Sequence, residues 1–236
     1  LVGSEMCIRD RAQSDEEMKE WLTSNKPNWG SKWQAGDVKY KDLTGEGEVT
    51  PGASTLENHG DLKRIGNNSP RYRVGLNLDA AWKGIDFSIF FQGVLKRDWM
   101  FDAGDPYFWG AGSGMWQAAC FEEHMDYWPP ENTDAYYPKP YFNETKNQQA
   151  QDAYMQKASY LRCKNIQLGY TLPTHITEKA GISNCRIYLS CDNLFTITGL
   201  SSVYDPEVFG SYDGYGTSGK TYPLQRTISV GVNLNF

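Results

Sequence analysis

The chain has 236 residues with 29 acidic and 23 basic side chains, and its formal net charge of −6 at pH 7 argues against a nucleic-acid-binding protein. Hydrophobic residues make up 39% and charged residues 22%, which excludes a disordered chain, and no run reaches the roughly 18 apolar residues of a transmembrane helix. Eight Trp, fifteen Tyr and ten Phe, together with 23 Gly, predict strands, turns and loops rather than packed helices.

The first eleven residues, LVGSEMCIRDR, differ in character from the rest of the chain. They resemble the translation of a transposase adaptor used in preparing sequencing libraries. We therefore assign residues 1–11 to an adaptor sequence outside the fold, with a flexible natural N-terminus as the alternative. On the adaptor interpretation, the natural protein is longer, and this chain is its C-terminal part.

Residues 12–69 are predicted to form one loop region with a short helix near its start. Ser14 is a good N-cap, and the acidic residues that follow it suit the first turn of a helix over 14–22. From residue 23 to residue 69 the chain is rich in Gly, Asn, Asp and Pro, and only small strands near residues 37–40 are expected. Long loops of this kind are usually functional.

A segment that begins at Asp42 approaches the calcium-loop pattern D-x-[DN]-x-[DN]-G. Asp42, Thr44 and Glu46 occupy the ligand positions, but Thr and Glu replace the preferred Asp or Asn. Position 12 of the loop is Ala53 instead of a bidentate Glu. A plain glycine-rich turn explains the segment better. The sequence therefore predicts at most a weak Ca²⁺ site at Asp42, Thr44 and Glu46, and no other cofactor.

Residues 70–236 contain segments in which apolar and polar residues alternate with period two, as in β-strands with two different faces. In the first segment, Leu76 and Leu78 alternate with Asn77. Lys83 and Gly84 then form a tight turn to the second segment, so the pair is predicted to be a hairpin. The five predicted strands cover about 72–82, 85–95, 165–172, 184–197 and 227–236.

The connectors between these strands alternate between short and long. Residues 83–84 and 173–183 are short, whereas residues 98–157 form a long loop. Short turns on one side and long loops on the other are typical of an outer-membrane β-barrel, whose periplasmic turns are short. We therefore predict an all-β fold: antiparallel C-terminal strands of a large transmembrane β-barrel with long extracellular loops, here incomplete. A soluble antiparallel sandwich is the alternative, because one buried and one solvated face also give alternation.

The five cysteines do not predict a disulfide framework or a zinc site. Cys185 and Cys191 lie about 20 Å apart on one predicted strand, so they cannot bond to each other. Cys163 is expected on the opposite face of its own strand. CxxC spacing is absent, and the cysteines are interpreted as small buried or lipid-facing residues.

The 98–157 loop is rich in aromatic side chains beside Asp, Glu and Asn acceptors. Flat apolar rings suit the CH faces of sugars, and the acceptors suit their hydroxyl groups. Packing inside the loop and contact with a partner protein are competing uses of the same residues. The ligand-contact candidates are Trp99, Phe101, Trp109, Trp116, Tyr136 and Tyr137.

No combination of residues predicts an enzyme. The three histidines are scattered, and no G-x-S-x-G nucleophile motif is present. The glycine run at 110–114 lacks the preceding strand and the lysine of a phosphate-binding loop. Glu131 and Asp134 could form a glycosidase pair, but a turn beside Pro129 and Pro130 explains them without chemistry.

Six motifs occur in order over nearly everything after the first dozen residues. They are GDVKYKDLTGEGEVT (36–50), HGDLKRIGNNSPRYRVGLNL (59–78), WKGIDFSIFFQGVLKRD (82–98), HMDYWPPENTDAYYP (124–138), ASYLRCKNIQLGYTLP (158–173) and RIYLSCDNLFTITGL (186–200). They resemble the C-terminal end of the SusC/RagA-type TonB-linked outer-membrane transporters of Bacteroidota. The resemblance implies a large plugged barrel in the cell outer membrane that imports oligosaccharides or peptides.

The resemblance also implies partners. These are a SusD-like surface lipoprotein, the TonB complex acting through an N-terminal region that this chain lacks, outer-membrane lipid, and the outer-membrane assembly machinery. The aromatic C-terminus, Phe236, resembles the signal that this machinery reads. Residues 12–69 and 98–157 would be extracellular loops. Because the plug and most strands are missing, two open sheet edges would face lipid, and the fragment alone is expected to be inactive.

A soluble, aromatic-rich carbohydrate-binding β-module is the alternative function. The two functions differ in what the apolar strand residues contact. In a barrel these residues form one exposed band, whereas in a soluble module they meet in a buried core. The residues that discriminate are Val74, Leu76, Leu78, Phe87, Ile89, Ile166 and Leu168.

Overall fold

The structure is a computed structural model that describes residues 4–6, 8–113, 119–209 and 221–236. The chain divides into two compact units. The loop unit contains the described parts of Leu1–Asn68, Asp98–Gln156 and Ser201–Thr221, and the sheet unit contains Ser69–Arg97, Lys157–Leu200 and Tyr222–Phe236. The long predicted loops thus form one unit, and the alternating strands form the other.

The loop unit has short strands and the sheet unit has long ones. In chain order the strands are β1 (Ser4–Met6), β2 (Ile8–Arg11), β3 (Lys26–Pro27), β4 (Val38–Tyr40), β5 (Glu48–Val49), β6 (Leu62–Arg64), β7 (Arg73–Trp82), β8 (Ile85–Val94), β9 (Asp98–Trp99), β10 (Gln156–Thr171), β11 (Asn184–Asp192), β12 (Thr196–Gly199) and β13 (Thr227–Asn235). The helices are α1 (Asp15–Ser24) and α2 (Thr174–Thr177), with 3₁₀ helices at Gly110–Ser113, Glu122–Met125, Asp152–Tyr154 and Glu178–Ala180. Among the described residues, no helix is long and apolar enough to cross a membrane.

A small hydrophobic core organises the first part of the loop unit. Helix α1 starts where the sequence predicts, because the Ser14 hydroxyl accepts a hydrogen bond from the Glu17 backbone N–H at 3.1 Å. The helix buries Met18 and Trp21 on one face. The other members of this core are Ala12, Val38, Tyr40 and Val49. The region therefore packs around its own core, although its composition predicts mostly loop.

Residues 8–11 pair with the rest of the loop unit, although the sequence led us to leave residues 1–11 outside the fold. Strand β2 pairs antiparallel with β4, and β1 pairs antiparallel with β6. The Arg11 guanidinium also donates to the carbonyl oxygen of Tyr137 at 2.8 Å. The described residues of this segment therefore take part in the backbone pairing of the loop unit.

The sheet unit is antiparallel, with strand order β7–β8–β10–β11–β13, and β12 pairs with β10. The predicted hairpin turns through Lys83 and Gly84, whose φ angles of 47° and 85° are those of a type I′ turn. Strand β10 begins at Gln156, earlier than the alternation predicts. The run predicted over 184–197 is interrupted between β11 and β12, where Asn193 has a φ of 51°.

One face of the sheet carries continuous rows of apolar side chains. One row runs across β7, β8, β10, β11 and β13, and its residues are directly opposite one another: Ala80, Phe87, Leu168, Leu189 and Val230. The next row is Trp82, Ile85, Tyr170, Ile187 and Val232. Leu76, Leu78 and Leu168 are 52%, 50% and 51% exposed. These side chains form an exposed band and not a buried core, as in strands that face lipid.

A bulge in β10 corrects the predicted position of Cys163. The register with β8 shifts between Cys163 and Asn165, so that Cys163 lies opposite Phe91 and Ile166 lies opposite Ile89. Phe91 and Ile89 share the apolar face, and Cys163 therefore lies on that face too. The prediction of the opposite face was wrong because one extra residue reverses the alternation of a strand.

The other face of the sheet is polar and carries an ion pair between non-adjacent strands. Asp86 on β8 and Arg186 on β11 form this pair, with the Arg186 Nε donating to the Asp86 carboxylate at 2.9 Å. Gly169 on β10 lies between them, and a Cβ there would come within 2.5 Å of both side chains. Because glycine has no Cβ, the side chains of Asp86 and Arg186 can meet above β10 at this position.

Candidate functional site

The Asp42 loop is held by hydrogen bonds from backbone N–H groups. The Asp42 carboxylate accepts from the N–H of Gly45 at 2.6 Å and of Gly47 at 2.8 Å, and it accepts from the Thr44 hydroxyl at 3.2 Å. Burial raises the pKa of Asp42, but these hydrogen bonds outweigh it and leave the pKa below its usual value. The buried Asp61 carboxylate accepts from the N–H of Leu43, Thr44 and Thr50 in the same way.

These carboxylates contact hydrogen-bond donors, which fits a glycine-rich turn better than a cation site. A metal ion would have to displace the N–H donors from Asp42, and Glu46 is exposed. Within the described ranges, no group of three or more His, Cys, Asp and Glu residues is placed to hold a metal. The assignment of Asp42, Thr44 and Glu46 to a Ca²⁺ site stays a sequence prediction.

Two of the ligand-contact candidates lie in the interior of the loop unit. Phe101 is 1% exposed and stacks between Phe108 and Tyr204, with ring centroids 4.8 Å and 4.1 Å away. Trp99 meets the ring of Phe209 edge-on at 4.9 Å. These rings cover one another, so Trp99 and Phe101 build the core of the long loop and present little surface to a ligand.

A buried carboxylate, Asp105, supports this ring cluster. It accepts from the Tyr204 hydroxyl at 2.7 Å and from the N–H groups of Phe108 at 2.8 Å and Tyr107 at 3.0 Å. Burial raises the pKa of Asp105 above its usual value, and the three donors act in the opposite direction. Sequence reasoning did not single out Asp105 or Tyr204, because their pairing depends on the folded loop.

A cleft of about 280 Å³ opens beside this cluster within the loop unit. Its walls include the rings of Trp109, Tyr127, Tyr137 and Tyr141. The structure thus brings together Trp109 and Tyr137, whose ring centroids are 6.5 Å apart. Tyr136, which precedes Tyr137 in the chain, is 40% exposed but does not line the cleft. Trp116 lies outside the described residues.

Three polar side chains of the cleft wall have both of their hydrogen-bonding ends occupied. Asn147 accepts from Val38 N–H at 3.0 Å and donates to Asp37 at 2.9 Å. Gln148 accepts from Gly104 N–H and donates to the Gly112 carbonyl, both at 2.8 Å. His124 Nδ1 accepts from Phe121 N–H at 3.0 Å, so its Nε2 carries the proton and lies 3.2 Å from the Phe108 carbonyl.

An enclosed ion pair fixes the segment that forms one side of the cleft. The Lys146 ammonium lies 2.9 Å from the Asp37 carboxylate, and neither side chain has exposed surface. Lys146 also donates to the carbonyl oxygens of Ser31 and Lys32 at 3.1 Å, and it lies 4.0 Å from the ring centre of Tyr141. These contacts join the long loop to the N-terminal part of the loop unit.

Comparison with known proteins shows that the chain is similar to TonB-dependent receptors. No protein-family model matches it. It is 29% identical over 208 residues to TonB-dependent receptor P3 of Formosa agariphila and 26% identical over 209 residues to TonB-dependent receptor P26 of the same organism. Each match covers 85% of this chain. The chain spans 19% and 20% of the length of these two relatives.

Solved structures show the same fold. A structure of the RagAB peptide importer in its open-open state matches 99% of this chain and 22% of that chain, with a TM-score of 0.59 and 21% identity. A structure of the RagAB peptide transporter matches 85% of this chain and 21% of that chain, with a TM-score of 0.56 and 23% identity. The resemblance to SusC/RagA-type TonB-linked receptors and the antiparallel all-β barrel fold class are confirmed.

Proposed function

We propose that this chain is part of a TonB-dependent transporter in the cell outer membrane. The exposed apolar face of the sheet unit, opposite a polar face, carries the proposal. An apolar band across paired strands is unfavourable in water, whereas in a bilayer it contacts lipid. The similarity to TonB-dependent receptors supports the same assignment and favours a transport protein over an enzyme.

The complete protein is proposed to import oligosaccharides or peptides together with a SusD-like surface lipoprotein, driven by the TonB complex. The likeness to the RagAB peptide importer supports a peptide substrate and this kind of partner. Outer-membrane lipid and the assembly machinery, which would read Phe236, are the further partners. The chain alone is proposed to be inactive in transport. Within the loop unit, the proposed ligand contacts are Trp109, Tyr136 and Tyr137.

The soluble carbohydrate-binding module is disfavoured by the same observation. That function predicts that seven apolar strand residues meet in a buried core, namely Val74, Leu76, Leu78, Phe87, Ile89, Ile166 and Leu168. Leu76, Leu78 and Leu168 are about half exposed, the other four are partly buried, and none of the seven is fully buried. Within the described residues of the sheet unit, the Phe195 ring packs on Phe91 at one end of this face, but Leu76, Leu78 and Leu168 stay exposed, so a soluble module would leave these side chains in water.

Membrane orientation tests the proposal in the full-length protein. The short connector at 173–183 is assigned to the periplasm and the 98–157 loop to the cell exterior. In a background without native cysteines, Glu131→Cys should react with a membrane-impermeant maleimide on intact cells, whereas Lys179→Cys should react only after the cells are lysed. Labelling of Lys179→Cys but not Glu131→Cys on intact cells would contradict the assignment.

A further inference from the structure

We infer that the cleft beside Trp109 and Tyr137 is a subsite for an apolar side chain of a peptide, and not for a sugar ring. The inference rests on the proposed transport function and narrows its substrate class. It differs from the expectation that aromatic rings in this loop contact sugars. The difference comes from the hydrogen bonds of the cleft wall.

The shape and lining of the cleft suit one apolar side chain. The aromatic walls are completed by Pro138, Pro140 and the exposed Met125, which offer apolar surface without donors. The volume of about 280 Å³ is just below that of small-molecule pockets, which hold about 300–1,000 Å³. It has room for one leucine or phenylalanine side chain but not for a chain of sugar units.

The polar wall residues select against sugars. A buried sugar ring needs partners for several hydroxyl groups, and each one left unpaired is unfavourable. Asn147, Gln148 and His124 already use both of their hydrogen-bonding ends inside the protein. Among the described lining residues, the polar groups that remain for a sugar are the tyrosine hydroxyl groups and, at the partly exposed rim, Lys139 and Glu144. A sugar ring seated between the aromatic walls would therefore have to break the bonds of Asn147, Gln148 and His124 or leave several of its hydroxyl groups unpaired. An aliphatic or aromatic side chain requires neither.

The charged residues of the lining suit a peptide main chain. They are Lys139 and Glu144, one cation and one anion, and both are partly exposed. A peptide backbone presents carbonyl oxygens that accept from an ammonium group and N–H groups that donate to a carboxylate. With the apolar side chain in the cleft, the main chain would lie along this charged rim.

The experiment measures peptide affinity of the purified full-length protein in detergent by calorimetry. The probes are Gly-Gly-X-Gly-Gly peptides in which X is Gly, Leu or Phe, and maltopentaose is the sugar probe. We expect the Leu and Phe peptides to bind about tenfold more tightly than the all-glycine peptide, because burying one apolar side chain in the cleft is enough to raise the affinity about tenfold. Maltopentaose should not compete with the Leu peptide.

Two variants and a matched control test whether the preference for apolar side chains arises in the cleft. Ala111→Phe fills the cleft from its exposed edge and should abolish the preference for Leu over Gly. Tyr127→Ala removes a wall and should weaken binding of the Leu peptide several-fold. Phe142→Ala is the control, because Phe142 is an exposed ring of the same loop unit that does not line the cleft. Heat-modifiable mobility on gels checks that each variant is folded.

Two outcomes would overturn the inference. One is equal affinity for the Leu and all-glycine peptides in the folded wild-type protein. The other is maltopentaose binding that Ala111→Phe abolishes, which would make the cleft a sugar site. Neither outcome would contradict the proposed transport function. That function would be contradicted by a different result, namely that the full-length protein does not fractionate with the outer membrane.

Discussion

Lys146 is a charged side chain that the loop unit encloses completely. Its ammonium meets one carboxylate, two carbonyl oxygens and one aromatic ring. Asp37 in turn accepts from Asn147 at 2.9 Å and from Gln34 N–H at 2.8 Å. A buried pair of this kind contributes little net stability compared with apolar residues, but the loss of one partner leaves an uncompensated charge.

Lys146→Met should therefore destabilise the loop unit by about 3–5 kcal/mol. In the full-length protein, chymotrypsin should cleave the 98–156 segment roughly a hundredfold to several thousandfold faster, because cleavage follows the population of the opened state. The double variant Asp37→Asn with Lys146→Met removes both charges and should recover part of the protection. Cleavage of Lys146→Met at the wild-type rate would show that the pair does not hold the loop.

The sequence could not separate ligand-contacting rings from packing rings. Both uses favour Tyr, Trp and Phe, so Phe101 and Trp109 looked alike as candidates. The fold distinguishes them, because Phe101 is enclosed between two rings and Trp109 lines a cleft. Asp37 and Lys146 were not predicted at all. Their pairing needs two segments that are distant in the chain to meet.

The strands of the sheet unit were predictable because alternation of period two is a local property. The hairpin over β7 and β8 follows from this alternation and from Gly84, which readily adopts the positive φ that the tight turn requires. The bulge next to Cys163 was not predictable, because it is defined by the register of β10 against β8. The core around Met18 and Trp21 was also missed in a region whose composition indicates loop.

Gly93 on β8 should be required for the pairing of β8 with β10. A Cβ at this position would clash with the backbone carbonyl oxygen of Tyr160, which cannot move without breaking the ladder. We expect Gly93→Ala to destabilise the sheet by about 1–3 kcal/mol and to lower the heat-modifiable fraction of the full-length protein in outer membranes.

Gly75→Ala on β7 is the matched control for this substitution. A Cβ at Gly75 would lie 3.5 Å from the Phe90 ring, which is an ordinary contact. Gly75→Ala should therefore assemble like the wild type. Equal yields of the two variants would mean that β8 and β10 are not paired in the register described.

At the scale of the whole molecule, the sheet unit presents edges as well as an apolar face. Within the described residues, β7 pairs with β8 and β13 pairs with β11, so each end strand has one paired side. The chain spans about a fifth of the length of its TonB-dependent relatives. Pairing of these two edges with further strands is therefore expected in the complete barrel, because unpaired backbone is unfavourable in lipid.

The most direct test of the account compares two adjacent arginine substitutions on β7 in the full-length protein. Leu76 lies on the apolar face and Asn77 lies on the polar face. On the apolar face, a basic side chain near mid-bilayer would be unfavourable by about 2–4 kcal/mol. The measurement is the folded, heat-modifiable fraction of each variant in purified outer membranes. We expect Leu76→Arg to lose most of this fraction and Asn77→Arg to keep it. Equal fractions for the two variants would contradict the claim that this sheet spans the outer membrane with its apolar face toward lipid.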